Sequence, residues 1–194
     1  MARIIDDTKI ERIKTATLQM VVMKGYGGAS VSEIAKIAGV SEGYLYSHYK
    51  GKAELVNELL YNSINEIIQK LETLINNEHS ISEILEQLVR LFINTAIDYP
   101  DKIKFLYVLM HDYNFKIQDS QRDKIFDLCK KVKEIGLKAG ELRDDIDEEE
   151  IYLIAVAYPI QLINMRFKSF FNVSQIGEDE VSKVLRMCLN LIKR

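Results

Sequence analysis

Apolar side chains recur at helical spacing along most of the chain, and polar side chains occupy the opposite positions. Two long amphipathic stretches, 52–75 and 80–97, are followed by Asp98-Tyr99-Pro100-Asp101, where proline is suited to end one helix and start the next. No stretch alternates β-branched and polar residues in the manner of a strand. The pattern therefore predicts an all-α fold of about nine helices, with the later ones near 103–110, 125–135, 147–171 and 178–194.

The last two predicted helices carry more apolar surface than a single contact needs. Helix 147–171 has two apolar stripes, and helix 178–194 has one stripe with further apolar side chains beside it. A second apolar face has to be buried, either in a large monomer core or against a second copy of the chain, and we favour the second copy. The residues expected at this homodimer interface are Val156, Ile160, Ile163, Phe167, Val184, Cys188 and Leu191.

Pro159 interrupts the hydrogen bonding of the predicted helix 147–171. Because proline lacks an N–H group, the carbonyl of Ala155 loses the donor that an α-helix supplies four residues later. We therefore expect a kink at this point, or a polar group that replaces the missing donor.

Glycines are distributed unevenly along the chain. Six of the nine lie in the first 51 residues, and none occurs from Lys52 to Ile135. Since glycine permits the backbone angles of tight turns, the first part should hold short, closely connected helices and the rest long ones. We interpret the change as a domain boundary, with a three-helix domain over 1–53 and a larger helical domain over 54–194.

The charge is distributed unevenly as well. The 194 residues carry a net charge of −3, yet the first 52 contain eight basic and five acidic groups and carry +3, so the remaining 142 carry −6. An asymmetry of this kind suggests that the first quarter of the chain meets an anionic partner. The composition, 47% apolar and 28% charged, is that of a globular protein.

Several other classes of protein lack support in the sequence. The longest apolar stretch, 151–163, is shorter than the roughly 20 residues of a membrane span, and acidic residues near the start argue against a secretory signal. The histidines and cysteines show no metal-binding spacing, and the acidic run 144–150 lacks the pattern of a calcium loop. We expect a soluble cytoplasmic protein with no membrane partner, metal or cofactor, not an enzyme, and expect the acidic run to cap the following helix.

The clearest motif lies just after the predicted first helix. Ser30 and Glu33 have the S-x-x-E spacing of a capping box, in which each side chain bonds the backbone N–H of the other residue. Gly39 is suited to end the helix that begins there, and Ser41 to cap a second short helix that ends at about residue 46–49. Two short helices joined by such a turn form a helix-turn-helix, whose second helix fits the DNA major groove, although many helical hairpins do not bind DNA.

The residues from Thr8 to Leu55 favour DNA binding more specifically than the hairpin alone. They resemble the DNA-binding domain of the tetracycline-repressor (TetR) family of bacterial transcriptional regulators. The motifs that carry the resemblance are Lys24-Gly25-Tyr26, Ser30-Val31-Ser32-Glu33-Ile34-Ala35, Ala38-Gly39-Val40-Ser41, Gly43-Tyr44-Leu45-Tyr46, His48-Tyr49 and Lys52-Ala53-Glu54-Leu55. The resemblance covers about a quarter of the chain. It implies a three-helix DNA-binding domain followed by a helical domain for ligand binding and dimerisation.

The resemblance also implies roles for individual residues. Base reading is expected from Ser41, Glu42, Gly43 and Ser47. Contacts to the DNA backbone are expected from Ser30, Tyr44, Tyr46, His48 and Lys52. Leu45 and Tyr49 are expected in the core, Lys36 and Lys50 are either phosphate contacts or solvated charges, and Arg3 belongs to an N-terminal extension that can reach the minor groove.

Aromatic, sulfur-containing and polar side chains in the central helices are candidates for a ligand pocket, although aromatics at helical spacing also fill cores. The candidates are Tyr61, Phe92, Tyr107, Met110, His111, Phe126, Tyr158 and Gln161. The resemblance implies a homodimeric regulator, in the first place a repressor, that binds double-stranded operator DNA and is released by an unidentified, largely apolar small molecule. Two alternatives stay open: a DNA-binding regulator without an effector, and a helical enzyme or carrier.

Overall fold

The computed structural model describes residues 7–77 and 80–193, and within these residues the fold is all-α, as predicted. One helix, Glu148–Tyr152 (α8), continues through a π-helical turn, Leu153–Ala157, into Tyr158–Phe167 (α9). Counted as one, these three segments bring the described helices to nine, besides a short 3-10 helix, Phe170–Asn172. The others are Asp7–Gly28 (α1), Val31–Ala38 (α2), Glu42–Tyr46 (α3), Lys52–Asn76 (α4), Ile81–Asp98 (α5), Pro100–His111 (α6), Asp119–Lys138 (α7) and Glu178–Ile192 (α10).

The chain forms two compact units whose limits differ from the predicted boundary between residues 53 and 54. The first unit holds the chain up to Ser63 together with Lys104–Ile117, and the second holds Ile64–Ile103 and the chain from Gln118 onward. Helices α4 and α6 each pass from one unit into the other. The difference arises because a boundary read from glycine content could not register that a later segment, Lys104–Ile117, packs with the N-terminal helices.

The first unit is built on α1, which packs against α2, which in turn packs against α3. Its core consists of apolar side chains at helical spacing, and burial of each large one contributes about 1.5–3 kcal/mol to folding. The fully buried members are Ile13, Val21, Ile34, Leu45, Leu55 and Val56.

The second unit is organised around α5, which contacts α7, α9 and α10. The N-terminus of α5 is fixed by Ser80 and Glu83, which form a reciprocal capping box. Eight of its side chains are buried because neighbouring helices cover it on several sides. They are Ile81, Ile84, Leu85, Leu88, Val89, Phe92, Ile93 and Ala96.

The acidic run caps a helix, as the sequence predicted. The Asp147 side chain accepts a hydrogen bond from the Glu150 N–H at 2.7 Å, and the Glu150 carboxylate accepts one from the Asp147 N–H at 3.0 Å. Both carboxylates therefore lie at the positive end of the α8 dipole. None of the described helices combines the length and the apolarity that a bilayer crossing demands.

The π-helical turn before Pro159 shows how the missing N–H is accommodated. The N–H of Tyr158 bonds the carbonyl of Leu153, one residue further back than in an α-helix. In this register the carbonyl that lacks a backbone donor because of Pro159 is that of Ile154, and not that of Ala155 as predicted. The thiol of Cys188 on α10 donates to the Ile154 oxygen at 3.2 Å and replaces the missing donor.

The hydrogen bond from Cys188 to Ile154 predicts that serine and alanine substitutions have a different order of stability at Cys188 than at Cys129, the other buried cysteine. Burial raises the pKa of both thiols to about 11, so both are protonated at neutral pH. Cys188→Ser keeps a donor for Ile154, whereas Cys188→Ala leaves that half-buried carbonyl without one, so we expect alanine to be the more destabilising by about 1 kcal/mol. Urea unfolding of the two variants measures the difference.

Cys129 is the matched control, because its thiol has no hydrogen-bond partner among the residues that the structure describes. A serine hydroxyl buried there would lose its water without a compensating bond, so at Cys129 serine should be the more destabilising by about 1 kcal/mol. The same order of serine and alanine at both positions would contradict the role given to Cys188.

Candidate nucleic-acid interface

Helix α2 begins at a capped serine, but not through the full capping box that the spacing predicted. The Ser30 hydroxyl oxygen accepts a hydrogen bond from the Glu33 N–H at 3.3 Å. The Glu33 carboxylate does not return to the Ser30 N–H: it accepts the Ser30 hydroxyl at 2.9 Å and pairs with the Lys24 ammonium. The Lys24 ammonium and the Ser30 hydroxyl lower the pKa of the Glu33 carboxyl.

The turn between α2 and α3 has the geometry that the sequence predicted. Gly39 lies in the left-handed region, with φ 65° and ψ 39°, where a side chain would be strained. The Gly39 N–H bonds the Lys36 carbonyl at 3.2 Å, and the Val40 N–H bonds the Ala35 carbonyl at 3.0 Å. Ser41 then caps α3 by accepting the Tyr44 N–H at 3.1 Å.

Helix α3 has one buried side and one open side. Leu45 is fully buried and Tyr49, just beyond the helix, is 6% exposed, so both are core residues as expected. The four residues predicted to read bases lie on the open side and are all exposed: Ser41, Glu42, Gly43 and Ser47. This face is free to approach a partner, which a recognition helix must be able to do.

The residues predicted to hold the DNA backbone separate into two groups. Tyr46 is 54% exposed, and Ser30 and His48 are half-buried. The Tyr44 hydroxyl oxygen is buried, and the Tyr44 ring lies 4.8 Å from the His48 ring between centroids. Tyr44 therefore supports His48 and does not present its hydroxyl to a phosphate, which corrects the role predicted for it.

Lys52 also has an internal role in place of the predicted phosphate contact. Its ammonium donates to the carbonyl of Tyr26 at 2.6 Å and to that of Ala29 at 2.9 Å, near the end of α1. It also lies 4.5 Å from the centroid of the Tyr26 ring. The first residue of α4 thus closes the end of α1, where carbonyls lack helical donors.

Other basic groups of the first unit are paired with acids. Lys14 bonds Glu58 at 3.2 Å and Glu11 at 3.4 Å, and these acids hold the pKa of Lys14 above its ordinary value against the lowering effect of burial. Lys24 pairs with Glu33, as described above. Among the described residues of the first unit, the exposed cations that form no salt bridge with an acid are Arg12 on α1, Lys36 at the end of α2, Lys50 just after α3, and Lys116. Arg3 lies outside the described residues.

A contact that the sequence reasoning missed joins the segment after α6 to α1. Gly25 breaks the helical backbone of α1 with φ 74° and ψ 169°, which frees the amides of the next residues. The Asp112 carboxylate accepts the Tyr26 N–H at 2.7 Å and the Gly27 N–H at 3.2 Å, and its other oxygen accepts the Asn114 N–H at 2.9 Å. These N–H groups, that of Asn114 foremost, hold the pKa of the Asp112 carboxyl below its ordinary value.

Only the glycines at 25, 27 and 28 hinted at this contact, because they mark a helix end with unbonded amides. The partner comes from 86 residues later in the chain, a separation that no local pattern reveals. The Tyr26 ring also meets the Phe115 ring edge to face, with centroids 5.2 Å apart. Tyr26 is therefore held both by the start of α4 and by the segment after α6.

The predicted pocket residues are divided between the two units. In the first unit, Tyr61, Met110 and His111 are exposed, and the half-buried Tyr107 ring stacks on that of His111 with centroids 4.2 Å apart. In the second, Phe126 and Gln161 are exposed, Tyr158 is half-buried and Phe92 is buried in the core of α5. The set stays a prediction.

The predicted dimer residues also separate into two groups. Ile160, Ile163, Val184 and Cys188 are buried within the chain itself, at 2% exposure or less, which corrects their assignment to an exposed apolar face. Val156 and Phe167 are half-buried and Leu191 is 50% exposed. Leu153 and Met187, which were not in the predicted set, are 49% and 40% exposed.

The fold and the site have the features of a helix-turn-helix DNA-binding transcriptional regulator. Residues 13–59 match the family model described as bacterial regulatory proteins, tetR family. The fatty acid metabolism regulator protein of Bacillus subtilis is 24% identical over 155 residues, which are 72% of this chain and 73% of that protein.

Solved structures show the same fold. A TetR-family transcription regulator from Marinobacter aquaeolei superposes with a TM-score of 0.78 at 20% identity, over 97% of this chain and 98% of that one. The regulator FadR from Bacillus subtilis, solved in complex with stearoyl-CoA, gives a TM-score of 0.64 at 21% identity, over 94% and 97%. The N-terminal part of the chain thus matches the tetR family model, and the whole chain shares its fold with solved TetR-family regulators.

The Asp112 contact predicts a pH-dependent stability. A carboxyl whose pKa is lowered by folding stabilises the protein above its unfolded pKa of about 4, and this contribution disappears as the pH falls through the lowered value. Asp112→Asn should therefore reduce the free energy of unfolding by about 1 kcal/mol at pH 7, and by progressively less below pH 4. Urea unfolding between pH 3 and pH 7 measures the change.

The control is Asp127→Asn on α7, where the aspartate is exposed and has no hydrogen-bond or ion-pair partner among the described residues. It should alter stability little at any pH. If Asp112→Asn leaves the unfolding free energy unchanged at pH 7, the contact does not hold α1.

Proposed function

We propose that the protein is a homodimeric transcriptional repressor that places α3 of each subunit in the major groove of operator DNA. The observation that carries the proposal is the open face of α3, with Ser41, Glu42, Gly43 and Ser47 exposed opposite the buried Leu45. The major groove is about 12 Å wide and admits one helix. A two-fold dimer would bind a palindromic operator with one half-site for each subunit.

Contacts to phosphates are proposed for the exposed polar and basic groups around α3. Tyr46 and His48 follow from the predicted set, and Lys36 and Lys50 join them because they are exposed cations on either side of the recognition helix. Such contacts set the register of the protein on DNA without reading sequence. Lys52 is proposed to act indirectly, by holding the end of α1.

The dimer is proposed to form through the apolar side chains that the second unit leaves exposed. Met187 and Leu191 are four residues apart on α10 and therefore share one face of that helix, and Leu153 lies on the π-helical turn. Exposed large apolar side chains in a cluster indicate an interface with another protein. Val156 and Phe167 remain in the proposed interface, at its half-buried edge.

A fatty acyl-CoA is the class of effector that we propose. The support comes from similar proteins: a curated relative is named for fatty acid metabolism, and one solved structure holds stearoyl-CoA. An acyl chain is also the kind of largely apolar ligand that the sequence led us to expect. Neither an enzymatic activity nor a cofactor is proposed, and the site of action is the cytoplasm, where operator DNA lies.

The route from effector to DNA is proposed to run through Tyr26. Helices α4 and α6 run from the second unit into the first, and both hold α1 through this residue: Lys52 starts α4, and Asp112 directly follows α6. A ligand can shift the balance between two conformations only by binding one of them more tightly. We propose that an acyl-CoA favours a conformation in which α6 has moved and α1 carries α3 out of register with the groove.

Binding to the DNA that flanks its own gene tests the central proposal. Fluorescence anisotropy with a labelled duplex should show an affinity that falls as salt rises, with a log–log slope of about −0.9 for each phosphate contact. Stearoyl-CoA should release the protein, and stearate or CoA alone should release it less. A salt-independent affinity would contradict DNA binding through phosphates, and binding that no acyl-CoA weakens would favour the regulator without an effector.

The proposed interface predicts that a charge on α10 separates the subunits. Leu191→Glu places a carboxylate among apolar side chains, so sedimentation should show a monomer and DNA affinity should fall by more than tenfold, because one half-site contact replaces two. Ser182→Glu adds the same charge at an exposed position of α10 on the opposite side of the helix from Leu191, and should stay dimeric. A dimeric Leu191→Glu variant would place the interface elsewhere.

A further inference from the structure

Of the four residues predicted to read bases, only Glu42 has an extended polar side chain. The Ser41 hydroxyl accepts the Tyr44 N–H at 3.1 Å, and the Ser47 hydroxyl donates to the Tyr44 carbonyl at 2.7 Å. Both short side chains are thereby held against the helix, and Gly43 has no side chain. Glu42 is exposed and has no hydrogen-bond or ion-pair partner among the residues that the structure describes.

Gly43 is not required by the protein's own packing. It lies within α3 with ordinary helical backbone angles, and a Cβ added there would meet only the Ser41 Oγ, at 4.0 Å. Gly39, by contrast, needs its left-handed φ of 65°, and a Cβ on Gly27 would meet Asn114 at 3.0 Å. Glycine weakens a helix relative to alanine, so the packing of the chain itself gives no reason for glycine at position 43.

From these two observations we propose that α3 reads its operator chiefly through the Glu42 carboxylate, which selects a cytosine in each half-site, while the bare backbone of Gly43 lies directly against the groove edge. The inference rests on the proposed DNA binding and specifies what that surface recognises. Ser41 and Ser47 then act as helix caps that hold Glu42 in place.

The chemistry of the groove explains the choice of cytosine. A carboxylate only accepts hydrogen bonds, and the amino groups of cytosine and adenine are the donors that the major groove presents. In adenine the amino group lies beside the N7 acceptor, whose lone pair repels a carboxylate, whereas cytosine has no acceptor there. An acidic side chain also repels the phosphates, so Glu42 is favourable only where such a donor is present.

Selection from a random-sequence duplex library with the full-length protein tests the base preference. The wild type should enrich a two-fold motif with one invariant cytosine in each half-site. Glu42→Gln should replace that cytosine by adenine, because an amide bonds both the N6 and the N7 positions, and should bind the wild-type motif about tenfold less tightly relative to random duplex. Glu134→Gln, an exposed glutamate on α7, removes the same charge and should keep the cytosine.

Gly43→Ala gives the second test, with two readouts that move in opposite directions. The melting temperature should rise by about 1–2 °C, since alanine is the better helix former, while operator affinity should fall about tenfold because the methyl group meets the groove edge. Asn62→Ala on α4 is the control: it improves helix propensity at an exposed position and should leave DNA affinity unchanged.

Each failure has a distinct signature. If the wild type enriches a motif and Glu42→Gln retains the same cytosine, Glu42 does not read it and the inference is overturned. If Gly43→Ala is more stable and binds the operator as tightly as the wild type, the close approach is overturned. If the wild type enriches no sequence and binds duplex independently of salt, the proposed function itself fails.

Discussion

The burial of Leu45 is the constraint on which the recognition surface depends. Helix α3 is only five residues long, and a helix of that length is not stable by itself in water. It persists because Leu45 is fully buried in the first unit and because Ser41 caps its start. With one side anchored in this way, the opposite side, from Ser41 to Ser47, has to face outward. The exposure of the proposed recognition surface thus follows from packing on the inner side of α3.

Several basic groups of the first unit form stabilising contacts within that unit, so they are less available to bind DNA phosphates. Lys52 bonds carbonyls at the end of α1, and Lys14 and Lys24 pair with acids. An excess of positive charge in the sequence therefore overstates the number of cations available to phosphates. The same internal use of charge places Asp112 on the amides after Gly25, so that the end of α1 is held from two directions.

Local rules account for most of what the sequence predicted correctly. The helix ends at Ser30, Gly39, Ser41 and Asp147 depend on residues a few positions apart, and the all-α fold depends on helical periodicity. The features that the sequence did not predict, or predicted wrongly, depend on residues far apart in the chain. The Asp112 contact spans 86 residues, the register at Pro159 was set by a π turn together with Cys188, and the burial of Ile163 and Val184 depends on how helices pack. Periodicity identifies an apolar face but does not tell which neighbour covers it.

Cross-linking from α3 to DNA tests most directly the claim that its open face meets the bases. Ser47→Cys would carry a photoactivated cross-linker, and the native thiols of Cys129 and Cys188 are buried and would not compete for it. If the open face of α3 meets the bases, cross-links should form to bases at two positions related by the two-fold axis of the operator, and none should form from the same probe on Asn62→Cys. Cross-links from position 62 and none from position 47, in a protein that still binds the operator, would contradict this claim.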